Sequence, residues 1–152
     1  MDWKKIIFIC AVFCVVLFVS SVTASSLSTS QEKFVITPWY DYKEQVQRAA
    51  PIYGTITDGD VVEHVYSIPS GKTSLEVSLE WNRGLFQNDL SMRLVSPSNV
   101  AYGPFSDSFE GIINGVIPVT SHGAISSGTW KVLIYGTSVV GTQTYTLRVN
   151  AL

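Results

Sequence analysis

Between residues 74 and 81 the chain alternates without an error. Leu75, Val77, Leu79 and Trp81 take one parity, and Ser74, Glu76, Ser78 and Glu80 take the other. A period of two sends successive side chains to opposite faces of an extended strand, so this stretch predicts a β-strand with one face in a core and the other in water. Residues 89–96 repeat the pattern, with Leu90, Met92 and Leu94 opposite Ser91, Arg93 and Val95. Two such half-buried strands must pack their apolar faces against something, and that requirement governs the reading of the rest.

Turn chemistry divides the remaining chain at short intervals. Asp58-Gly59-Asp60, Pro69-Ser70-Gly71 and Pro97-Ser98-Asn99 are turn sequences, and residues 136–141 carry glycine at both ends. Between them residues 53–57, 61–68, 101–104, 112–119, 128–135 and 142–149 read as further strands. No amphipathic helix of useful length interrupts this run. Eight short strands so spaced predict an all-β fold, an antiparallel two-sheet β-sandwich with jelly-roll or Greek-key connections, because parallel strands need long crossovers. Upstream of Pro51, Phe34-Val35-Ile36 reads as a short strand, and residues 42–50 have moderate helix propensity that ends before the proline.

The first residues follow a different logic. Met1-Asp2-Trp3-Lys4-Lys5 is a short basic start, an apolar run follows from Ile6 to Val19, and Ser20-Ser21-Val22-Thr23-Ala24 closes it with small residues. These are the features of a secretory signal peptide, and cleavage is expected after Ala24. The competing reading is an uncleaved hydrophobic anchor, which the run reaches in length only if Ser20-Ser21 is counted. Residues 25–50 then form a Ser-rich linker and N-terminal extension, and 51–152 the sandwich.

Export changes the composition of the working chain. Cys10 and Cys14 both lie in the apolar run, so the mature part has no disulfide. Removing Asp2, Lys4 and Lys5 leaves eight basic and eleven acidic side chains, a net charge of −3. A mildly acidic chain with scattered basic residues argues against nucleic acid as a partner. The 128 residues left are enough for one core.

The chemistry-bearing residues are few. His64 and His122 are the two histidines, and Gly-x-Ser-x-Gly is absent. Nucleophilic catalysis needs a nucleophile set against a base, and the expectation is a non-enzymatic chain. His64 shares a parity with Tyr66 and Ile68 and reads as a half-buried packing residue, and His122 reads as part of a turn-rich loop. Two separated histidines do not make a zinc motif. Calcium is the metal candidate, since it takes carboxylate and carbonyl oxygens gathered on loops. Asp58, Asp60, Asp89, Asp107 and Glu110 are the residues that would supply them, although Asp side chains serve turns by bonding backbone amides in the same way. The rings of Trp39, Tyr40 and Tyr42 form a ligand candidate, able to stack on sugar faces or to pack over an open end of the sandwich. Trp81 and Trp130 lie on apolar parities and are expected in the core.

Four segments in order carry a family resemblance: Val65-Tyr66-Ser67-Ile68-Pro69-Ser70-Gly71; residues 75–81 running into Asn88-Asp89-Leu90-Ser91-Met92-Arg93-Leu94; Ser96-Pro97-Ser98; and Gly128-Thr129-Trp130-Lys131-Val132 with Tyr145-Thr146-Leu147-Arg148-Val149. Together they resemble the pre-peptidase C-terminal (PPC) domain and its subtilase-associated β-sandwich relatives, and residues 106–115 look like copies in surface proteins of methanogenic archaea. The resemblance spans residues 51–149. It implies a non-catalytic extracellular module with a binding, adhesion or structural role at the cell surface, accessory in some cases to secreted peptidases. Many members carry Asp-Leu-Asp-Leu where this chain has Asp89-Leu90-Ser91-Met92, which weakens the calcium reading. The expected partners are a secreted or cell-surface protein, or a polysaccharide, with membrane contact only through an uncleaved signal segment. The alternative class is a carbohydrate-binding module using Trp39, Tyr40 and Tyr42.

Overall fold

A computed structural model describes residues 33–36 and 49–152. The strands are β1 (Lys33–Ile36), β2 (Ile52–Ile56), β3 (Val61–Ile68), β4 (Leu75–Trp81), β5 (Asp89–Val95), β6 (Ala101–Ser106), β7 (Val116–His122), β8 (Gly128–Ser138) and β9 (Gln143–Ala151), with a 3-10 turn at Asp107–Glu110. They form a five-stranded sheet in the order β1-β7-β4-β9-β2 and a four-stranded sheet in the order β3-β8-β5-β6. The described residues all belong to one compact unit, Gln31–Leu152. The expected signal segment, the residues Trp39, Tyr40 and Tyr42, and the helix expected from residue 42 lie outside the described residues, save for 49 and 50 at that helix's end. Among the described residues no helix is long and apolar enough to cross a membrane.

The pairing is nested. β2 pairs with β9, β3 with β8, β4 with β7 and β5 with β6, every pair antiparallel. The first half of this ribbon thus runs back along the second, and β4·β9 and β5·β8 zip the folded ribbon into two sheets. That is jelly-roll connectivity, with β1 added outside β7 as a ninth strand.

Both alternating segments do what their parity predicts on the inner face. Leu75, Val77, Leu79 and Trp81 of β4 and Leu90, Met92 and Leu94 of β5 are buried. With Val132 and Ile134 of β8 and Leu147 of β9 they form one continuous core. Burying a side chain of this size contributes about 1.5–3 kcal/mol. Trp130 is 1% exposed and Trp81 6%, as expected of core residues. Each indole N–H finds a backbone carbonyl, Trp130 at Ser126 (2.8 Å) and Trp81 at Asn88 (2.9 Å).

The outer face of β4 departs from expectation. Glu76 and Ser78 are buried, not in water. β4 is the middle strand of five, and its outward side chains stand between those of β7 and β9. Ser78 is flanked by Pro118 and Arg148, and Glu76 by Thr120 and Asn150. Asn150 donates to Glu76 (3.4 Å) and Arg148 to Glu80 (3.1 Å). Burial pushes the Glu76 carboxyl above its usual range, with the Asn150 hydrogen bond opposing.

β7 also begins later than the sequence suggests, at Val116 rather than 112, and it runs on to His122, which was expected in a loop. The cause lies at Asp107. Its carboxylate accepts the N–H groups of Asn114 (3.0 Å) and Gly115 (2.7 Å), so those residues make a side-chain-capped turn before the ladder starts. Gly115 has φ of 79° and packs so close to the Trp81 carbonyl that no Cβ fits.

Candidate interaction surface at the loop end

Alternation of strand direction gathers four connections at one pole of the sandwich: residues 57–60, 82–88, 107–115 and 139–142. They are tied to one another. Val139 N–H donates to the Asp58 carboxylate (2.9 Å) and Val140 N–H to the Asn88 side chain (2.9 Å), while Asn88 donates to Gln143 (3.0 Å). Trp81 N–H donates to the Gly115 carbonyl (2.8 Å), and Arg83 Nε lies 3.8 Å from Asp107. A loop cluster held by this many cross-bonds is a preorganised surface.

It holds large apolar side chains out in water. Leu85 is 95% exposed and Phe86 69% on the β4–β5 loop; Ile112, Ile113 and Val140 on the two neighbouring loops are each more than half exposed. Single exposed apolar residues are ordinary, whereas several on adjoining loops are less so. No sequence periodicity announces them, because loops have none.

The calcium candidates come to this same pole, each placed separately. Asp58 caps the β8–β9 loop, and Asp60 accepts from both the backbone N–H and the hydroxyl of Thr57. Asp107 is occupied by Asn114, Gly115 and Arg83. Asp89 keeps one buried carboxylate oxygen without a partner. Burial raises its pKa, Arg83 opposes this, and Asp107 adds to it. Glu110 ends the 3-10 turn, and its side chain lies outside the described residues. Among the described residues no three His, Cys, Asp or Glu side chains gather as a metal would need.

His64 sits on the inner side of edge strand β3. Its Nε2 shares a hydrogen bond of 2.9 Å with the Tyr145 hydroxyl, and the rings meet edge to face. Desolvation lowers the His64 pKa. Beside it the buried Tyr66 hydroxyl has no hydrogen-bond partner; burial, with Tyr145 reinforcing, pushes its pKa up to about 12. The His122 side chain lies outside the described residues.

No known protein-family profile matches the chain, and no curated protein does. Nineteen chains of solved structures match, among them the CspB protease of Clostridium perfringens, at 15% identity and a TM-score of 0.48. That match covers 66% of this chain and 25% of the protease chain, so this chain spans about a quarter of that protein's length.

Proposed function

We propose that this chain is a non-catalytic, PPC-like module, exported by its first 24 residues, that works at the cell surface or beside secreted peptidases by binding another surface component. The observation that carries this reading is the loop end, where cross-bonded loops present Leu85, Phe86, Ile112, Ile113 and Val140 to solvent. An isolated chain gains nothing by holding these side chains in water, whereas a partner that covers them gains about 25 cal/mol per Å² of apolar surface. The engagement of His64 by Tyr145 supports a packing role for that histidine, in keeping with a module that performs no chemistry. The partners favoured are a secreted or surface protein, or a polysaccharide of the envelope. The alternative carbohydrate site at Trp39, Tyr40 and Tyr42 gains no support, since those residues lie outside the described ones.

Co-sedimentation with isolated cell envelopes tests the proposal. The exported chain, residues 25–152, is expected in the pellet, and the Leu85→Ser/Phe86→Ser double variant is expected to lose about tenfold in affinity, the equivalent of ~1.4 kcal/mol. Its melting temperature should be unchanged, because both side chains already stand in solvent. Equal pelleting of the two proteins, or none of either, counts against the loop end as the contact surface.

A further inference from the structure

The outward face of the five-stranded sheet carries a second feature, separate from the exposed loop tips. In β2 the inward parity belongs to Ile52, Gly54 and Ile56, so Tyr53 and Thr55 point outward. The β2·β9 register sets Tyr53 opposite Thr146 and Thr55 opposite Thr144, and the β4·β9 register sets Thr146 opposite Glu80. Short threonines between a tyrosine and a glutamate leave a depression. It is an open groove of about 600 Å³, lined by Tyr53, Thr55, Glu80, Asn82, Thr144 and Thr146, with Gly54, Trp81 and Tyr145 also contributing. That volume falls within the range of ligand clefts.

The Tyr53 ring is 76% exposed on an otherwise polar strand face. Around it stand three hydroxyls that can each donate and accept. Asn82 spends its side-chain oxygen on Gly84 N–H (3.0 Å) and keeps its amide N–H groups as donors. The Glu80 carboxylate is positioned by Arg148 (3.1 Å). Among the described lining residues none is cationic.

We propose that this groove binds a neutral carbohydrate, with one sugar ring stacked on Tyr53. A pyranose has an apolar C–H face and a rim of hydroxyls. The face suits an aromatic ring, and the rim suits alternating donors and acceptors at a water-exposed surface. An anionic ligand (a phosphate, a sulfated or uronic glycan) would find no cation in the lining to pair with, since the nearby guanidinium of Arg148 is already engaged by Glu80. An extended peptide would draw on backbone groups along the β2 edge, yet here the hydrogen-bonding groups are side chains spread across three strands. The lining residues are other than Trp39, Tyr40 and Tyr42 and other than the apolar residues of the loop tips.

Affinity electrophoresis of the full-length chain in native gels containing glucomannan, galactomannan, soluble starch, hydroxyethylcellulose or alginate tests it. Retardation is expected in at least one neutral gel and not in alginate. Tyr53→Ala should weaken it by about tenfold or more, Tyr53→Trp should retain it, and Thr55→Val/Thr144→Val should weaken it with the melting temperature preserved. The Leu85→Ser/Phe86→Ser variant should be retarded like the wild type. If glycan binding persists while envelope binding fails, the loop-end proposal alone falls. No retardation in any neutral gel, preference for alginate, or a Tyr53→Ala variant within about twofold of wild type overturns the carbohydrate site.

Discussion

Gly54 shows how a single missing side chain organises an edge of this sandwich. Its backbone lies directly over the Tyr145 ring, and a Cβ would collide with the ring carbon and hydroxyl at its tip. The Gly54 backbone has no left-handed φ, so the requirement is for space rather than conformation. Tyr145 cannot easily move aside, because its hydroxyl is bonded to His64 on the opposite sheet. Gly54→Ala should therefore destabilise by about 1–3 kcal/mol, the usual cost of overpacking. Chemical denaturation would measure it, and a change below about 0.5 kcal/mol would show that the ring repacks freely. Nothing in Tyr53-Gly54-Thr55 announces this need, since the ring that imposes it lies some ninety residues away in sequence. The same distance hides the Tyr53 groove, whose lining comes from three separate segments.

Strand β4 shows both the reach and the limit of reading elements from sequence. Its inner face followed from parity alone, because Leu75, Val77, Leu79 and Trp81 leave one choice of which side is apolar. The outer face departs from the expectation because parity says nothing about neighbours. Whether Glu76 and Ser78 meet water depends on β7 and β9 standing on either side, and a central strand in a five-stranded sheet loses exposure on both faces. The start of β7 was missed for a similar reason, as the Asp107 carboxylate claims the backbone N–H groups that a strand from 112 would have used. Ser78 is the testable residue of this element. Its hydroxyl is fully buried with no hydrogen-bond partner. An unsatisfied buried hydroxyl costs stability, so Ser78→Ala should stabilise by roughly 0.5–1 kcal/mol, seen as a rise in melting temperature. A fall would show that the hydroxyl is satisfied in solution.

At the scale of the whole molecule, buried titratable groups act on stability in opposite directions. His64 has a lowered pKa in the fold, so the unfolded chain binds its proton more readily; the stability this group confers is present above 6.5 and is lost as pH falls below that value. Glu76 and Asp89 have raised pKa values, so the folded chain holds their protons better; their contribution is present below 4.5 and 3.8 respectively and is lost as pH rises past those values. The expected signature is in difference curves. The melting temperature of wild type minus His64→Gln should climb as pH rises toward 6.5 and level off above it, and that of wild type minus Glu76→Gln should fall as pH rises above 4.5. Parallel curves at all pH values would remove these two groups from the pH dependence.

The nested pairing has one more consequence, for orientation. β1 is entered at Lys33 beside His122, and Leu152 closes onto Thr73 and Ser74, so both ends of the described chain leave the sandwich from the pole opposite Leu85 and Phe86. A fusion partner added after Leu152 would attach at the back of the molecule. The apolar loop tips point the other way, like the business end of a probe held by its handle.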